Sequence, residues 1–211
     1  MRDAKQILAE ALKKLENRIP GEKEIDSLFG YALLLIKWNR IYNLTAATDI
    51  ESIIVSHLLD SLSIKPYLKG LRILDIGSGA GLPGIPLAIG LSGAEFVLLD
   101  SNGKKTRFMQ QAAMELGLGN VRVEKCRIEE YRPELPFDTV ISRAFSNLSE
   151  FVEVSRGLCN SAGQILAMKG RHPRDEIQAA DLEGFSVEVQ PLDVPGLNAE
   201  RHVVCIKPNS K

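Results

Sequence analysis

The fold of this 211-residue chain is decided at residues 71–84, which read Leu-Arg-Ile-Leu-Asp-Ile-Gly-Ser-Gly-Ala-Gly-Leu-Pro-Gly. A short apolar strand carrying one acid, Asp75, leads into a loop with four glycines in eight residues. Glycines allow backbone N–H groups to approach a ligand that side chains would otherwise block. A second apolar strand, 94–99, ends at Asp100. An acid at this place is where a parallel α/β sheet binds ribose hydroxyls, so the pattern indicates a ligand that contains adenosine.

Composition and charge exclude several classes of protein. Hydrophobic residues make up 45% and charged residues 25% of the chain, which favours a folded domain with a sizeable core. Cys126, Cys159 and Cys205 form no CxxC pair, which argues against a disulfide framework or a zinc site and suits a reducing cytosol. We expect no signal peptide, no membrane span and no bound metal. Because the net charge is only −1, a surface that binds nucleic acid would have to be a local cluster of positive charge.

Strand and helix patterns alternate from residue 71 onwards. The predicted strands are 71–76, 94–99, 120–124, 137–142, 162–168, 185–191 and 201–207, and the predicted helices between them are 84–91, 103–117, 147–158 and 173–182. Short connections imply a mostly parallel sheet with helices on both faces. The last two strands are joined by a loop that contains Pro195-Gly196, which predicts a hairpin and an antiparallel final strand.

The first 66 residues have a different pattern. Apolar residues recur at helical spacing from Ile7 to Leu15 and from Ile25 to Ile36, with a break at Pro20-Gly21. A third helix is predicted from Ile50 to Ser63, with Asp49 as its N-cap. We therefore predict a helical extension, 1–66, packed on a ligand-binding domain, 67–211.

The glycine loop has two interpretations. Gly79, Gly81 and Gly84 fit the GxGxxG pattern of dinucleotide sites, whereas Gly77, Gly79 and Gly81 fit the GxGxG pattern of S-adenosylmethionine enzymes. A dinucleotide loop places a helix N-terminus against the pyrophosphate directly after the strand. Because the turn already begins at Gly77, the pattern favours S-adenosylmethionine, although a tight turn without a ligand would also use glycines.

Several further residues are candidates for cofactor contacts. Asp75 can orient the loop or meet the ammonium of the methionine part, and Asp100 can accept hydrogen bonds from the ribose hydroxyls. Ser101 and Asn102 follow Asp100 and enter a helix. Ile128 and Glu129 follow the third strand, where this fold usually contacts the adenine edge.

The reacting group in such folds lies over the end of the fourth strand, here Ser142-Arg143-Ala144-Phe145. This segment lacks an Asn-Pro-Pro-Tyr motif for amine methylation, and no cysteine has the setting that pyrimidine-carbon methylation needs. Acceptors that are already nucleophilic remain, among them guanine N7, which has no proton to lose. Arg143 is suited to hold a guanine edge, a phosphate or the cofactor carboxylate, or to form a surface salt bridge.

Other polar residues are candidates for a contact with nucleic acid. Lys169, Arg171 and Arg174 form either a phosphate-binding rim or a solvated basic loop at the end of the fifth strand. His57 and Asp60 lie one helical turn apart and face one cleft or form a packed pair. The remaining candidates are Asn43 and Arg127. The cations at the start of the 103–117 helix, Lys104, Lys105 and Arg107, indicate an anionic partner or form a solvated helix face.

Six segments together resemble the glucose-inhibited division protein B (GidB) family. They are 38–46, 57–62, 75–88, Arg127 with Glu129, Ser-Arg-Ala-Phe at 142–145, and Lys169-Gly170. The members of that family are bacterial enzymes that methylate guanine N7 in 16S ribosomal RNA. The resemblance implies a class I S-adenosylmethionine methyltransferase fold, with a seven-stranded, mostly parallel sheet. It implies cofactor contacts at Gly77, Leu82, Asp100, Ile128, Glu129 and Arg143.

The resemblance also implies 16S rRNA or the 30S subunit as the partner, and we expect Arg127 among the RNA contacts. We expect a cytoplasmic monomer. Three other functions stay open at this point: methylation of a small molecule or protein, a non-catalytic nucleotide-binding regulator, and a dinucleotide oxidoreductase.

Overall fold

The computed structural model describes residues 4–143, 145 and 147–209. Its strands are β1 (Arg72–Ile76), β2 (Glu95–Leu99), β3 (Val121–Glu124), β4 (Phe137–Ser142), β5 (Cys159–Lys169), β6 (Phe185–Pro191) and β7 (His202–Pro208). They form a sheet of order β3-β2-β1-β4-β5-β7-β6, in which β7 is antiparallel to both of its neighbours. The predicted parallel sheet with a terminal hairpin is confirmed.

The helices are α1 (Ala4–Glu16), α2 (Glu22–Tyr42), α3 (Ile50–Ile53), α4 (Asp60–Leu62), α5 (Gly84–Gly90), α6 (Gly103–Glu115), α7 (Leu148–Arg156) and α8 (Arg174–Ala179). A π-helical segment, Ile54–Leu59, joins α3 to α4, so one continuous helical stretch covers most of the predicted 50–63 helix. Asp49 caps it as predicted, because its side chain accepts a hydrogen bond from the Ser52 amide at 2.8 Å.

Alternate residues of the strands bury their side chains on opposite faces of the sheet. In β2, Phe96 and Leu98 belong to one apolar cluster, and Val97 and Leu99 belong to the other. The first cluster contains buried residues of α1, α2, α5 and α6, and the second contains those of α7. The helical extension therefore shares its hydrophobic core with one face of the sheet.

The second helix is longer than its apolar pattern predicts: the pattern ends at Ile36, whereas α2 continues to Tyr42. Its end is built by two asparagines. Asn43 adopts a left-handed conformation with φ of 49° at the C-cap, and the Asn39 side chain donates to the carbonyls of Thr45 and Ala47. Polar residues that cap a helix do not continue its apolar periodicity, so the hydrophobic pattern ends before the helix does.

The sequence pattern around Cys159 also suggests a helical position for this residue, and that prediction is wrong. Helix α7 ends at Arg156, and Cys159 begins β5, where its thiol contacts the Gln164 carbonyl at 3.2 Å. The strand begins three residues earlier than predicted and pairs irregularly with β4 between Phe137 and Thr139. Two polar residues, Asn160 and Ser161, hide this part of β5 from the alternation pattern.

Within the described residues, no helix has the length and apolar character needed to cross a membrane.

Candidate active site

The glycine loop connects β1 to α5 at the carboxyl edge of the sheet. Its first two amides, of Gly77 and Ser78, donate to the Leu99 carbonyl at 2.8 and 3.1 Å, which ties the loop to the end of β2. Gly77, Gly79 and Gly81 have φ values of 69°, 60° and 84°. These positive angles are costly for other residues, so the GxGxG spacing follows from the path of the backbone.

Asp100 lies at the end of β2 and holds the loop from one side. Its carboxylate accepts hydrogen bonds from the Gly79 amide at 2.9 Å and from the Asn102 amide at 2.8 Å. The residue is 7% exposed. Because an ionised carboxylate has about four acceptor sites, two remain for further donors such as ribose hydroxyls.

Asp75 lies beneath the loop and is fully buried. Its Oδ2 atom accepts a hydrogen bond from the Gly84 amide at 2.9 Å, which fixes the start of α5. Among the described residues, its Oδ1 atom has no hydrogen-bond partner. Burial raises the pKa of Asp75 to about 7, since the charged form is poorly solvated there. Asp75 thus orients the loop through one of its two carboxylate oxygens.

The first of two neighbouring clefts has a volume of about 270 Å³ and lies between the ends of β1, β2 and β3. Five predicted cofactor residues line it: Gly77, Asp100, Ser101, Ile128 and Glu129. The structure adds Lys105 and Cys126 to the lining, together with Phe145 and Arg127. Ile128 and Phe145 give the cleft an apolar part near Asp100, which suits a ligand that combines a flat ring with a diol.

The other predicted cofactor residues lie around this cleft without lining it. Gly79 and Gly81 shape the loop, and Leu82 is buried in the first apolar cluster. Asn102 is the N-cap of α6, where its side chain accepts a hydrogen bond from the Lys104 amide at 2.9 Å. Arg143 belongs to the second cleft.

The second cleft, of about 350 Å³, lies beyond the ends of β4 and β5. Its lining includes the predicted residues His57, Asp60, Arg143 and Lys169, which come from three separate parts of the chain. The Asp60 carboxylate is almost fully buried between two guanidinium groups, at 2.7 Å from Arg201 Nε and 3.4 Å from an Arg143 nitrogen. This pairing compensates for the burial of its charge and positions Arg143.

Arg201 is a site residue that the sequence reasoning missed. It lies 141 residues from Asp60, in the hairpin loop before β7. No local pattern links two residues so far apart, and a single arginine before a strand carries no motif.

His57 has partners for both ring nitrogens. Its Nδ1 atom lies 2.8 Å from the Ser56 carbonyl, and its Nε2 atom contacts the Thr45 hydroxyl. Burial lowers the pKa of His57, and the Arg143 charge lowers it further. The ring is therefore neutral near pH 7 and holds the 45–57 connection together.

The predicted basic rim is divided by the structure. Lys169 is only 9% exposed, because its ammonium bonds to Glu176 at 2.6 Å and to the Phe145 carbonyl at 2.9 Å. Arg171 and Arg174 are exposed, as are Arg127 and Asn43. Ala144, in the middle of the Ser-Arg-Ala-Phe segment, lies outside the described residues.

A larger cavity of about 620 Å³ lies at the opposite, amino-terminal edge of the sheet, near Gly21 and Asn120. Ligands of open α/β sheets bind at the carboxyl edge of the strands. None of the predicted site residues lines this cavity. Within the described parts of the chain, no group of three or more His, Cys, Asp or Glu side chains is arranged to hold a metal ion.

Comparison with known proteins identifies the family of this chain. The GidB family model, described as rRNA small subunit methyltransferase G, matches residues 24–204. The chain belongs to this family. The family resemblance of the six sequence segments is thereby confirmed, and the match includes most of the helical extension as well as the sheet.

Curated relatives in this family are similar over nearly their whole length. Ribosomal RNA small subunit methyltransferase G of Nitrosococcus oceani is 54% identical over 187 residues, which cover 89% of this chain and 87% of the relative. The protein of the same name from Chromobacterium violaceum is 52% identical over 185 residues, covering 87% and 88%.

Solved structures show the same fold at low sequence identity. A putative O-methyltransferase from Klebsiella pneumoniae has a TM-score of 0.62 at 13% identity and covers 99% of this chain and 100% of that chain. TrmN from Thermus thermophilus has a TM-score of 0.57 at 16% identity, with 86% of this chain and 52% of that chain covered. The class I methyltransferase fold is confirmed.

Proposed function

We propose that this protein transfers a methyl group from S-adenosylmethionine to N7 of a guanine in bacterial 16S ribosomal RNA. As a member of the rRNA small subunit methyltransferase G family, it is a methyltransferase that acts on small subunit rRNA. The observation that carries the proposal is the pair of adjoining clefts at one sheet edge, with Asp100 in the first and Arg143 in the second. Its partner is 16S rRNA or the 30S subunit, in the cytoplasm.

The residues of the first cleft fit S-adenosylmethionine. Asp100 has acceptor capacity for the ribose diol, and Ile128 offers an apolar surface for the adenine ring. Asp75 lies beneath the loop, outside the lining of this cleft, and its Oδ1 atom has no hydrogen-bond partner among the described residues, which suits an indirect contact with the ammonium of the methionine part. S-adenosylmethionine supplies an electrophilic methyl group when it is bound.

The second cleft fits an acceptor that needs alignment more than a base. Guanine N7 carries an in-plane lone pair and no proton, so its methylation requires no side chain to remove one. Both nitrogens of His57 are engaged, which is consistent with a reaction that has no general base. Arg143, held by Asp60, is placed to orient a guanine edge or a phosphate through its planar donors.

The decisive experiment is transfer of labelled methyl groups to 30S subunits and to naked 16S rRNA prepared from cells that lack the modification. The proposal expects label in RNA, recovered as 7-methylguanosine after digestion. Label in a protein or a metabolite would instead support a different acceptor. Binding of S-adenosylmethionine without any transfer would support a non-catalytic regulator.

Replacing Arg143 by glutamine is expected to lower the rate of methyl transfer about 10²-fold. Without the guanidinium group the acceptor base is no longer held in line with the methyl group, and a small misplacement has a cost of this size. The buried Asp60 keeps its closer partner, Arg201 at 2.7 Å, so the melting temperature should fall less than it would if both guanidinium groups were lost. The matched control is Arg156→Gln, because Arg156 packs its guanidinium over Phe185 and lies outside both clefts. Equal activity of Arg143→Gln and Arg156→Gln would remove Arg143 from the site.

A further inference from the structure

One hydroxyl of the helical extension reaches the glycine loop. Tyr31 lies in the middle of α2 and is fully buried. Its hydroxyl donates a hydrogen bond of 2.5 Å to the carbonyl of Ala80, which lies 49 residues further along the chain. Ala80 stands between Gly79 and Gly81, so the contact lies within the GxGxG turn.

The hydroxyl has a role that packing alone does not explain. A phenylalanine ring would fill nearly the same space, and the Tyr31 ring already packs near Phe108, with 6.1 Å between ring centroids. Burying a hydroxyl is unfavourable unless it has a hydrogen-bond partner. Burial also raises the pKa of Tyr31 far above the neutral range, so the group remains a protonated donor. The specific contribution of the hydroxyl is therefore the bond to the loop.

The loop is held from three directions. Asp100 at the end of β2 binds the Gly79 amide, Asp75 in β1 binds the Gly84 amide, and Tyr31 binds the Ala80 carbonyl. The first two anchors come from the sheet, whereas the third comes from α2, outside the sheet. The Ala80–Gly81 peptide is thus fixed at both ends, because the Gly81 amide donates to the Ser78 carbonyl at 2.8 Å.

Such an anchor matters because the turn is rich in glycine. Glycine has more backbone freedom than other residues, so a glycine turn loses more conformational entropy when it takes up one shape. A loop that is already in its binding conformation avoids that cost when the ligand arrives. The Tyr31 hydroxyl selects one orientation of the Ala80–Gly81 peptide, directly after Gly79, whose amide is bound by the cleft residue Asp100.

We propose that Tyr31 is a positioning residue for the cofactor loop, and that the helical extension is thereby a working part of the methyl-donor site. This inference rests on the proposed function, since it takes the first cleft as the site of S-adenosylmethionine. Tyr31 acts through the loop backbone and not by touching the ligand. Its loss should weaken cofactor binding while the transfer rate at saturating cofactor stays the same.

The test compares Tyr31→Phe with Leu28→Val by calorimetric titration with S-adenosylhomocysteine, without RNA. Leu28 is fully buried one turn before Tyr31 on α2, so its truncation disturbs the same core without removing a loop contact. Tyr31→Phe is expected to weaken binding about 3- to 10-fold, which is the usual contribution of one neutral hydrogen bond. Leu28→Val should lower the melting temperature but change the dissociation constant less than 2-fold.

Steady-state kinetics provide a second readout. For Tyr31→Phe, the KM for S-adenosylmethionine should rise by the same factor, with kcat unchanged. Unchanged binding in Tyr31→Phe would overturn the inference and leave the proposed function intact, and so would equal weakening in Leu28→Val. A wild-type protein that binds no S-adenosylhomocysteine would overturn the proposed function and the inference together.

Discussion

Replacing Gly84 by alanine is expected to lower the free energy of unfolding by about 3–5 kcal/mol, through overpacking and a disturbed buried hydrogen bond. A Cβ atom at this position would lie 2.1 Å from the Leu98 side chain and 2.8 Å from the Asp75 carboxylate. The start of α5 would have to move away from β1 and β2. This movement would weaken the hydrogen bond from the Gly84 amide to Asp75. Since domains commonly have a stability of about 5–15 kcal/mol, urea unfolding should reveal a large shift of the midpoint.

The control for this substitution is Gly93→Ala. A Cβ atom at Gly93 would meet nothing within 4 Å, so this variant should unfold near the wild-type midpoint. Combining Gly84→Ala with Leu98→Ala should destabilise less than the sum of the two single changes, because the colliding methyl group is gone. A midpoint for Gly84→Ala equal to that of Gly93→Ala would contradict the close packing of α5 against β2.

Replacing Asp100 by alanine is expected to weaken the binding of S-adenosylmethionine about 10- to 150-fold, or ~1.5–3 kcal/mol for hydrogen bonds to a charged acceptor. The change removes the proposed acceptor for the ribose hydroxyls. It also releases the Gly79 amide, which Asp100 holds at 2.9 Å. Calorimetric titration with S-adenosylmethionine and S-adenosylhomocysteine measures the loss directly.

Two further variants separate the roles of Asp100. Asp100→Asn keeps one acceptor oxygen and the shape of the side chain, so its loss of affinity should be smaller than that of Asp100→Ala. Glu95→Gln removes an acid at the opposite end of β2, where it pairs with Arg72 at the surface. Glu95→Gln should bind as the wild type does, and unchanged affinity in Asp100→Ala would exclude Asp100 from the cofactor site.

Much of the fold could be predicted from local pattern. The strands of residues 71–76 and 94–99 are found within one residue of their predicted bounds, because apolar runs flanked by glycine or an acid have clear ends. The early start of the turn at Gly77 agrees with its φ of 69°. The prediction was weaker where polar residues take part in regular structure, at the end of α2 and in the first residues of β5.

The candidate site could be predicted only in part. The residues of the first cleft follow successive strand ends, and parallel strands bring such ends to one edge. The exposure of individual side chains has no such local signal. In the sequence, Lys169 belongs to a basic segment without nearby acids. In the folded chain it is neutralised by Glu176, which lies in the first turn of α8.

The sequence by itself determined the strand, turn and helix at residues 71–90, because glycine spacing and apolar periodicity act between near neighbours. The tertiary structure decided which distant groups support that turn and the cleft beside it. Tyr31 reaches Ala80 only because α2 packs on the same face of the sheet as α5 and α6, and Arg201 reaches Asp60 only through the β6–β7 hairpin. A hydrogen bond or an ion pair depends on distance in space, and that distance is set by how the helices and strands pack together.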